Sequence, residues 1–206
     1  MRERPILFNT EMVKAILDGR KTCTRRAIKF PNGMTGRPIG KAGDSSNPLG
    51  VMYPGGIKRP PYQPGDILYV RETWQNAGLV DEFDHVIADT EKYYYAAGPE
   101  APCFDFWVDP ETGEHKDKMP WKPSIHMPKE AARIWLKVIN VRVERLQEMD
   151  KTDALKEGID PRLCLNLSHA LTKFKKIWDS TIKKSDLDRY GWDANPWVWV
   201  IEFETV

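Results

Sequence analysis

What the chain lacks narrows its class. Its 206 residues include three cysteines, Cys23, Cys103 and Cys164, and none forms a Cys-x-x-Cys pair. An odd number at long spacing is no disulfide framework. It fits free thiols in a reducing cytoplasm, each a small buried hydrophobe. The four histidines, His85, His115, His126 and His169, show no His-x-x-x-His spacing, so no metal site is expected. No apolar run approaches the roughly 20 residues of a membrane span. The opening Met1-Arg2-Glu3-Arg4-Pro5 has no apolar leader character. No Gly-x-x-x-x-Gly-Lys segment, dinucleotide fingerprint or internal repeat occurs, and no cofactor is expected.

What is present is charge, unevenly placed. The net charge of +1 hides a balance of +8 over residues 1–60 and −7 over residues 61–206. A basic first third suits a polyanion surface, or two halves that pack and neutralise each other. The densest cluster is Gly19-Arg20-Lys21-Thr22-Cys23-Thr24-Arg25-Arg26, four cations and two hydroxyls directly after the amphipathic Met12-Val13-Ile16-Leu17. Such a cluster at a helix exit suits an anion, a phosphate backbone or a polarised carbonyl.

The pattern gives strands at Ile6–Phe8, Thr22–Ile28, Ile67–Trp74, Tyr93–Tyr95, Ile134–Leu146 and Trp197–Phe203. Asn9 or Thr10 caps a first helix that Gly19 closes in the left-handed region. Alternation puts Leu68, Val70, Glu72 and Trp74 on one face, so Glu72 needs a cationic or hydrogen-bonding partner, and Arg25 or Arg71 is within reach. The phase of Ile134-Leu136-Val138 slips near Asn140, which predicts a bulge or a tight bend. A short helix starts at Asp150 or Thr152 and ends at Glu157-Gly158. Ser168 caps a longer one with Leu171, Phe174, Ile177 and Trp178 on its apolar side. Trp197 and Trp199 share a strand face and read as core. Fourteen of the 34 residues 31–64 are Gly or Pro, which predicts a long loop. Residues 75–130 read as an insertion with an acidic patch (Asp81, Glu82, Asp84) and a hairpin-like turn at Asp109–Gly113. The expected architecture is one domain over 1–206, mixed α+β and mainly β: a small barrel with peripheral helices and insertions near 31–64 and 75–130.

The order of these pieces resembles the ASCH family, whose fold is a PUA-like β-barrel. The carrying segments are Ile16–Arg26, Gly65–Trp74, Ala154-Leu155-Lys156-Glu157-Gly158 and Trp197–Ile201. The likeness extends along most of the chain outside 31–64 and 75–120 and is strongest to the longer phage and prophage members. The resemblance implies a cytosolic protein that holds RNA or a nucleoside. It also implies an alternative, since some small bacterial members are amidohydrolases that deacetylate acetylcytidine. By the Gly-Arg-Lys-Thr-x-Thr match, Lys21 would be the base and Thr24 the nucleophile, with Glu157 as proton donor.

The residues support two chemistries. As a binding module, Arg20, Arg25, Arg26 and Glu72 line a cationic pocket for RNA or a modified nucleoside. As an amidohydrolase, Thr24 attacks an amide carbonyl once Lys21 takes its proton, neighbouring arginines steady the oxyanion, and Glu157 or Glu72 protonates the leaving amine. A regular strand sends residues 21 and 24 to opposite faces, so the pair converges only if Lys21 lies in the turn after Gly19. Glu157 is otherwise an exposed helix-end residue, and Glu72 a buried ion-pair member. A third alternative is a non-catalytic scaffold.

Overall fold

The computed structural model describes residues 2–31, 34–44, 47–79, 90–98, 107–109, 112–117 and 120–206, with 81, 83 and 87 besides. Cys103, His85, Glu82, Asp84, Pro110 and Glu111 lie outside the described residues. The chain is mixed α+β, with more strand than helix. In order, its elements are β1 (Glu3–Leu7), α1 (Thr10–Leu17), β2 (Cys23–Ala27), β3 (Arg37–Ile39), β4 (Gly50–Tyr53), β5 (Gly56–Lys58), β6 (Ile67–Arg71), β7 (Trp74–Ala77) and β8 (Lys92–Tyr95). Then come β9 (Trp107–Val108), β10 (His115–Lys116), β11 (Trp135–Arg145), α2 (Lys151–Lys156), α3 (Leu167–Thr181), α4 (Leu187–Tyr190) and β12 (Trp197–Thr205). Two compact units divide the chain: Met1–Arg4, Ala15–Leu68 and Trp135–Val206 in the first, Pro5–Lys14 and Tyr69–Ile134 in the second.

The first unit is organised by β12. It pairs antiparallel with β11, Trp197 opposite Arg145 and Thr205 opposite Leu136, and on its other edge with β2, Val198 opposite Ala27 and Glu202 opposite Cys23. The full order is β1-β6-β11-β12-β2; it is linear, and among the described residues the sheets do not close into a barrel. Hydrophobic alternation specifies the pleat of each strand, not whether the last strand meets the first. The ladder slips between Val138 and Asn140, the bulge that the phase change predicts, and leaves Ile139 unpaired and 53% exposed. One face of β12 carries Val198 and Val200 into a core with Leu146, Met149, Ala154, Ala170, Phe174 and Trp178, so α2 and α3 pack there.

Three local expectations need correction. Asn166, not Ser168, caps α3, its side chain accepting from the His169 amide. Ile177 is 40% exposed, because the buried positions Ala170, Phe174 and Trp178 recur at i, i+4 and i+8 and leave it to one side. Residues 31–64 hold a three-stranded sheet, β3-β4-β5, where a loop is expected. Its strands are only three or four residues long, so their signal is swamped by the glycines and prolines of the turns between them.

In the second unit β7 pairs with β8, Trp74 opposite Tyr95. Trp74, Met127 and Ala131 form its buried cluster. β9 and β10 pair with Val108 opposite His115, and the Gly113 amide donates to the Asp109 carbonyl at 2.7 Å, within the expected turn. Glu72 is 1% exposed and is held by Arg133 through two 2.9 Å hydrogen bonds, Nε to Oε1 and Nη2 to Oε2. Among the described residues its partner is therefore Arg133, neither Arg25 nor Arg71, and its carboxylate is committed to a two-pronged pair.

Candidate functional site

Two helix ends build the site, and glycine makes each possible. Gly19 ends α1 with φ +70, its amide donating to the Ile16 carbonyl, while the Arg20 and Lys21 amides both donate to Ala15. These bonds absorb the last carbonyls of α1 and turn the chain straight into β2. Residue 21 sits in that turn, as the alternative for a working Lys21 requires. At the other end, Asp150 caps α2 by accepting from the Asp153 amide, and the helix closes on Glu157. Gly158 follows at φ +101; a Cβ there would stand 2.7 Å from the Ala15 Cβ and 3.2 Å from the Lys21 Cβ. Only glycine lets the two turns meet so closely. They meet as an isolated antiparallel bridge between Lys21 and Glu157, reinforced by the Thr22 amide donating to Lys156.

Around that bridge lies a buried charge network. The Lys21 ammonium, whose side chain is fully buried, donates to the Cys23 carbonyl at 2.8 Å, the Glu157 carbonyl at 2.9 Å and Glu157 Oε2 at 2.7 Å. The other Glu157 oxygen accepts from Arg25 Nη1 at 3.2 Å. Arg25, likewise fully buried, also meets Glu144 at 2.7 Å and Asp153 at 2.6 Å. Arg142 reaches Glu144 at 3.0 Å, Asp153 at 3.8 Å and, more closely, Glu202; Lys156 reaches Asp153 at 3.4 Å. Four cations thus face four carboxylates. Burial works against the Arg25 charge, yet Glu157 and Glu144 outweigh it and hold the guanidinium above its ordinary value. Burial, with Glu157 adding to it, pushes the Cys23 thiol up to about 12.

This arrangement divides the residues singled out from the sequence. Lys21 and Glu157 come together, and Glu157 is buried, not an exposed helix-end residue. Arg25 joins them, but with three carboxylates on it, it is no free anion ligand and no uncompensated cation beside Lys21. Arg20 turns to the Gly158 carbonyl and to Asp18 at 2.8 Å. Thr24 and Arg26 alternate to the opposite sheet face, across from Ile201 and Trp199. A run of like charge in the chain is therefore split between two faces and largely neutralised. Sequence reading missed Glu144, Asp153, Arg142 and Glu202. Arg142 and Glu144 are two apart on β11, and this Arg-x-Glu spacing on a strand with apolar neighbours is the available signal.

Beside the network opens a cleft of about 490 Å³. Lys21, Thr22 and Cys23 form one wall, Lys156 and Glu202 bring charge, and the bulge residue Ile139 adds an apolar edge. Donors, acceptors and apolar surface converge on a volume that suits a small molecule. Among the described residues no group of three or more His, Cys, Asp or Glu is placed to hold a metal ion, and no helix is long and apolar enough to cross a membrane. Compared with family models, curated proteins and solved structures, the chain has no match.

Proposed function

We propose that this chain is a PUA-like domain of the ASCH type and that its cleft holds a nucleoside, free or as an unpaired base of RNA. The single observation that carries this reading is the cleft walled by Lys21, the residue that the bridge ties to Glu157. That bridge joins two of the four segments that carry the family resemblance, Gly-Arg-Lys-Thr-x-Thr and Ala-x-x-Glu-Gly. The charge balance directs the choice of ligand. Lys21 and Arg25 are matched internally by carboxylates, so the cleft recognises a neutral polar molecule better than a phosphate backbone. The Thr22 hydroxyl, Lys156 and Glu202 supply donors and acceptors, and Ile139 an apolar contact.

Calorimetric titration with cytidine and acetylcytidine tests it. Binding with Kd below about 1 mM, nearly independent of salt and weakened about tenfold by Ile139→Asp, is the expected outcome. A steep fall of affinity with salt would mark phosphate recognition instead. Absence of binding would leave the scaffold alternative.

One observation favours the amidohydrolase as a second reading: Lys21 and Glu157 are in hydrogen-bond contact beside the cleft. A hydrolase needs Lys21 to release Glu157 and accept a proton, and a threonine hydroxyl to attack. Thr22 lines the cleft, while Thr24 lies on the other sheet face. Acetylcytidine hydrolysis that Lys21→Ala abolishes supports this reading. Comparison of Thr22→Ala with Thr24→Ala identifies the nucleophile, and no turnover in the wild type removes the reading.

A further inference from the structure

A second cavity, of about 300 Å³, lies in the same unit at the far end of the same strands. Trp197 on its wall is six residues from Phe203 on the wall of the first cleft, about 20 Å along one strand at roughly 3.3 Å per residue. Its walls differ in kind. Phe30, Tyr190 and Trp197 present three aromatic rings, Arg145 and Arg189 two guanidinium groups, and none of the described lining residues is a carboxylate. The Arg145 guanidinium lies 4.2 Å from the centroid of the Trp197 ring and that of Arg189 5.1 Å from the Tyr190 ring.

The polar partners of Arg145 and Trp197 leave an imbalance. Arg145 Nη1 donates to the Asn195 carbonyl at 3.1 Å, and the described ion pairs give this side chain no carboxylate; the nearby Glu148 carboxylate is taken by the Arg145 backbone amide at 2.8 Å. Arg189 Nη2 donates to the Phe30 carbonyl at 3.1 Å. The Trp197 Nε1–H is buried with no acceptor among the described residues. A buried N–H without an acceptor is costly unless a ligand supplies one. The cavity thus offers flat π surface, donors and positive charge, and few acceptors of its own.

We propose that this cavity is a second ligand site, which takes a nucleotide: the base stacks against the aromatic wall, a base carbonyl or ring nitrogen accepts from Trp197 Nε1, and the phosphate meets Arg145. A planar ring alone would use only the stacking surface, and inorganic phosphate alone only Arg145; a nucleotide uses both. The proposal rests on this cavity and not on the nucleoside reading of the first cleft.

The test follows the indole N–H signal of Trp197 by NMR in the full chain, assigned through Trp197→Phe. Titration with adenosine and uridine 5′-monophosphates is expected to shift it with Kd below about 5 mM. Inorganic phosphate alone should leave it in place. Arg145→Met keeps the apolar stem and loses the charge, and should weaken binding at least tenfold; Trp197→Phe keeps the ring and loses the donor, and should weaken binding about threefold as read from other shifted signals. The spectra themselves report whether either variant is folded. A trinucleotide presents the same chemistry within a strand: tighter binding than the monophosphate, through the same signal, assigns the site to single-stranded nucleic acid, and equal binding assigns it to the free nucleotide. No movement of the Trp197 signal overturns the proposal, as does an affinity that Arg145→Met leaves unchanged. Shifts confined to the residues of the first cleft overturn it while leaving the nucleoside reading intact.

Discussion

Replacing Glu157 by glutamine is the sharpest perturbation of the buried network. The substitution preserves shape and one acceptor oxygen and removes a charge that touches two buried cations, Lys21 at 2.7 Å and Arg25 at 3.2 Å. Arg25 keeps Glu144 and Asp153, so its loss is cushioned. Lys21 keeps only carbonyl acceptors among its hydrogen bonds described above, and its side chain is fully buried. Breaking a buried pair from one side costs about 3–5 kcal/mol; the remaining carboxylates around Arg25 place Glu157→Gln at the lower end, about 3 kcal/mol. For a chain of this length that is a fall in melting temperature of roughly 6–12 °C. Removing both charges, as in Lys21→Met with Glu157→Leu, leaves no unpaired ion and should return most of the stability, to within about 1 kcal/mol of the wild type. Urea unfolding of the wild type, Lys21→Met, Glu157→Leu and the double variant gives the coupling directly, with Glu157→Gln measured beside them. Loss of less than about 1 kcal/mol in Glu157→Gln, or a double variant worse than both single ones, would refute the view that this pair is buried and coupled.

The second unit has its own paired charge, and Arg133→Met should cost about 3 kcal/mol by stranding Glu72, which is 1% exposed; thermal unfolding reads it. Gly158→Ala should cost about 2–4 kcal/mol, since it adds a Cβ 2.7 Å from Ala15 at a φ of +101; denaturant unfolding measures it. Ile139→Ala, at a residue 53% exposed on the cleft edge, should leave stability within about 0.5 kcal/mol and weaken nucleoside binding severalfold in calorimetry. The Cys23 thiol has a native value of about 12 against an ordinary 9.0. Below pH 9 it is protonated in both states; between about 9 and 12 the unfolded chain loses the proton and the native one keeps it, so stability falls as pH rises through that window. At pH 8 Cys23 should resist iodoacetamide in the native protein and react once urea unfolds it, which mass spectrometry of the labelled peptide follows.

Local patterning carries much of this protein. The helix before Gly19, strands beginning at Ile67 and Trp197, the irregularity near Asn140 and a helix start at Asp150 or Thr152 are all readable because each rests on residues within one or two turns of chain, though the first of these strands ends at Arg71 and not at Trp74. The short strands of 37–58 are not, because three residues hold too little alternation to register against the turn residues around them. The partner of Glu72 is not readable either. A buried carboxylate demands a cation, and the sequence offers many, but only folding selects Arg133, 61 residues away.

The same division holds for the site. The chain alone determines that Lys21 leaves a helix at a left-handed glycine, that Glu157 and Gly158 end another helix, and that four cations crowd residues 20–26. Tertiary structure decides what those charges do. Pairing β2 against β12 sorts Arg25 from Thr24 and Arg26 onto opposite faces, and docking Gly158 against Lys21 brings Glu157 to its ammonium. Charge is written residue by residue, but whether a cation is open to a ligand or cancelled by a carboxylate depends on burial and on contacts more than a hundred residues apart in the chain, which no local pattern encodes.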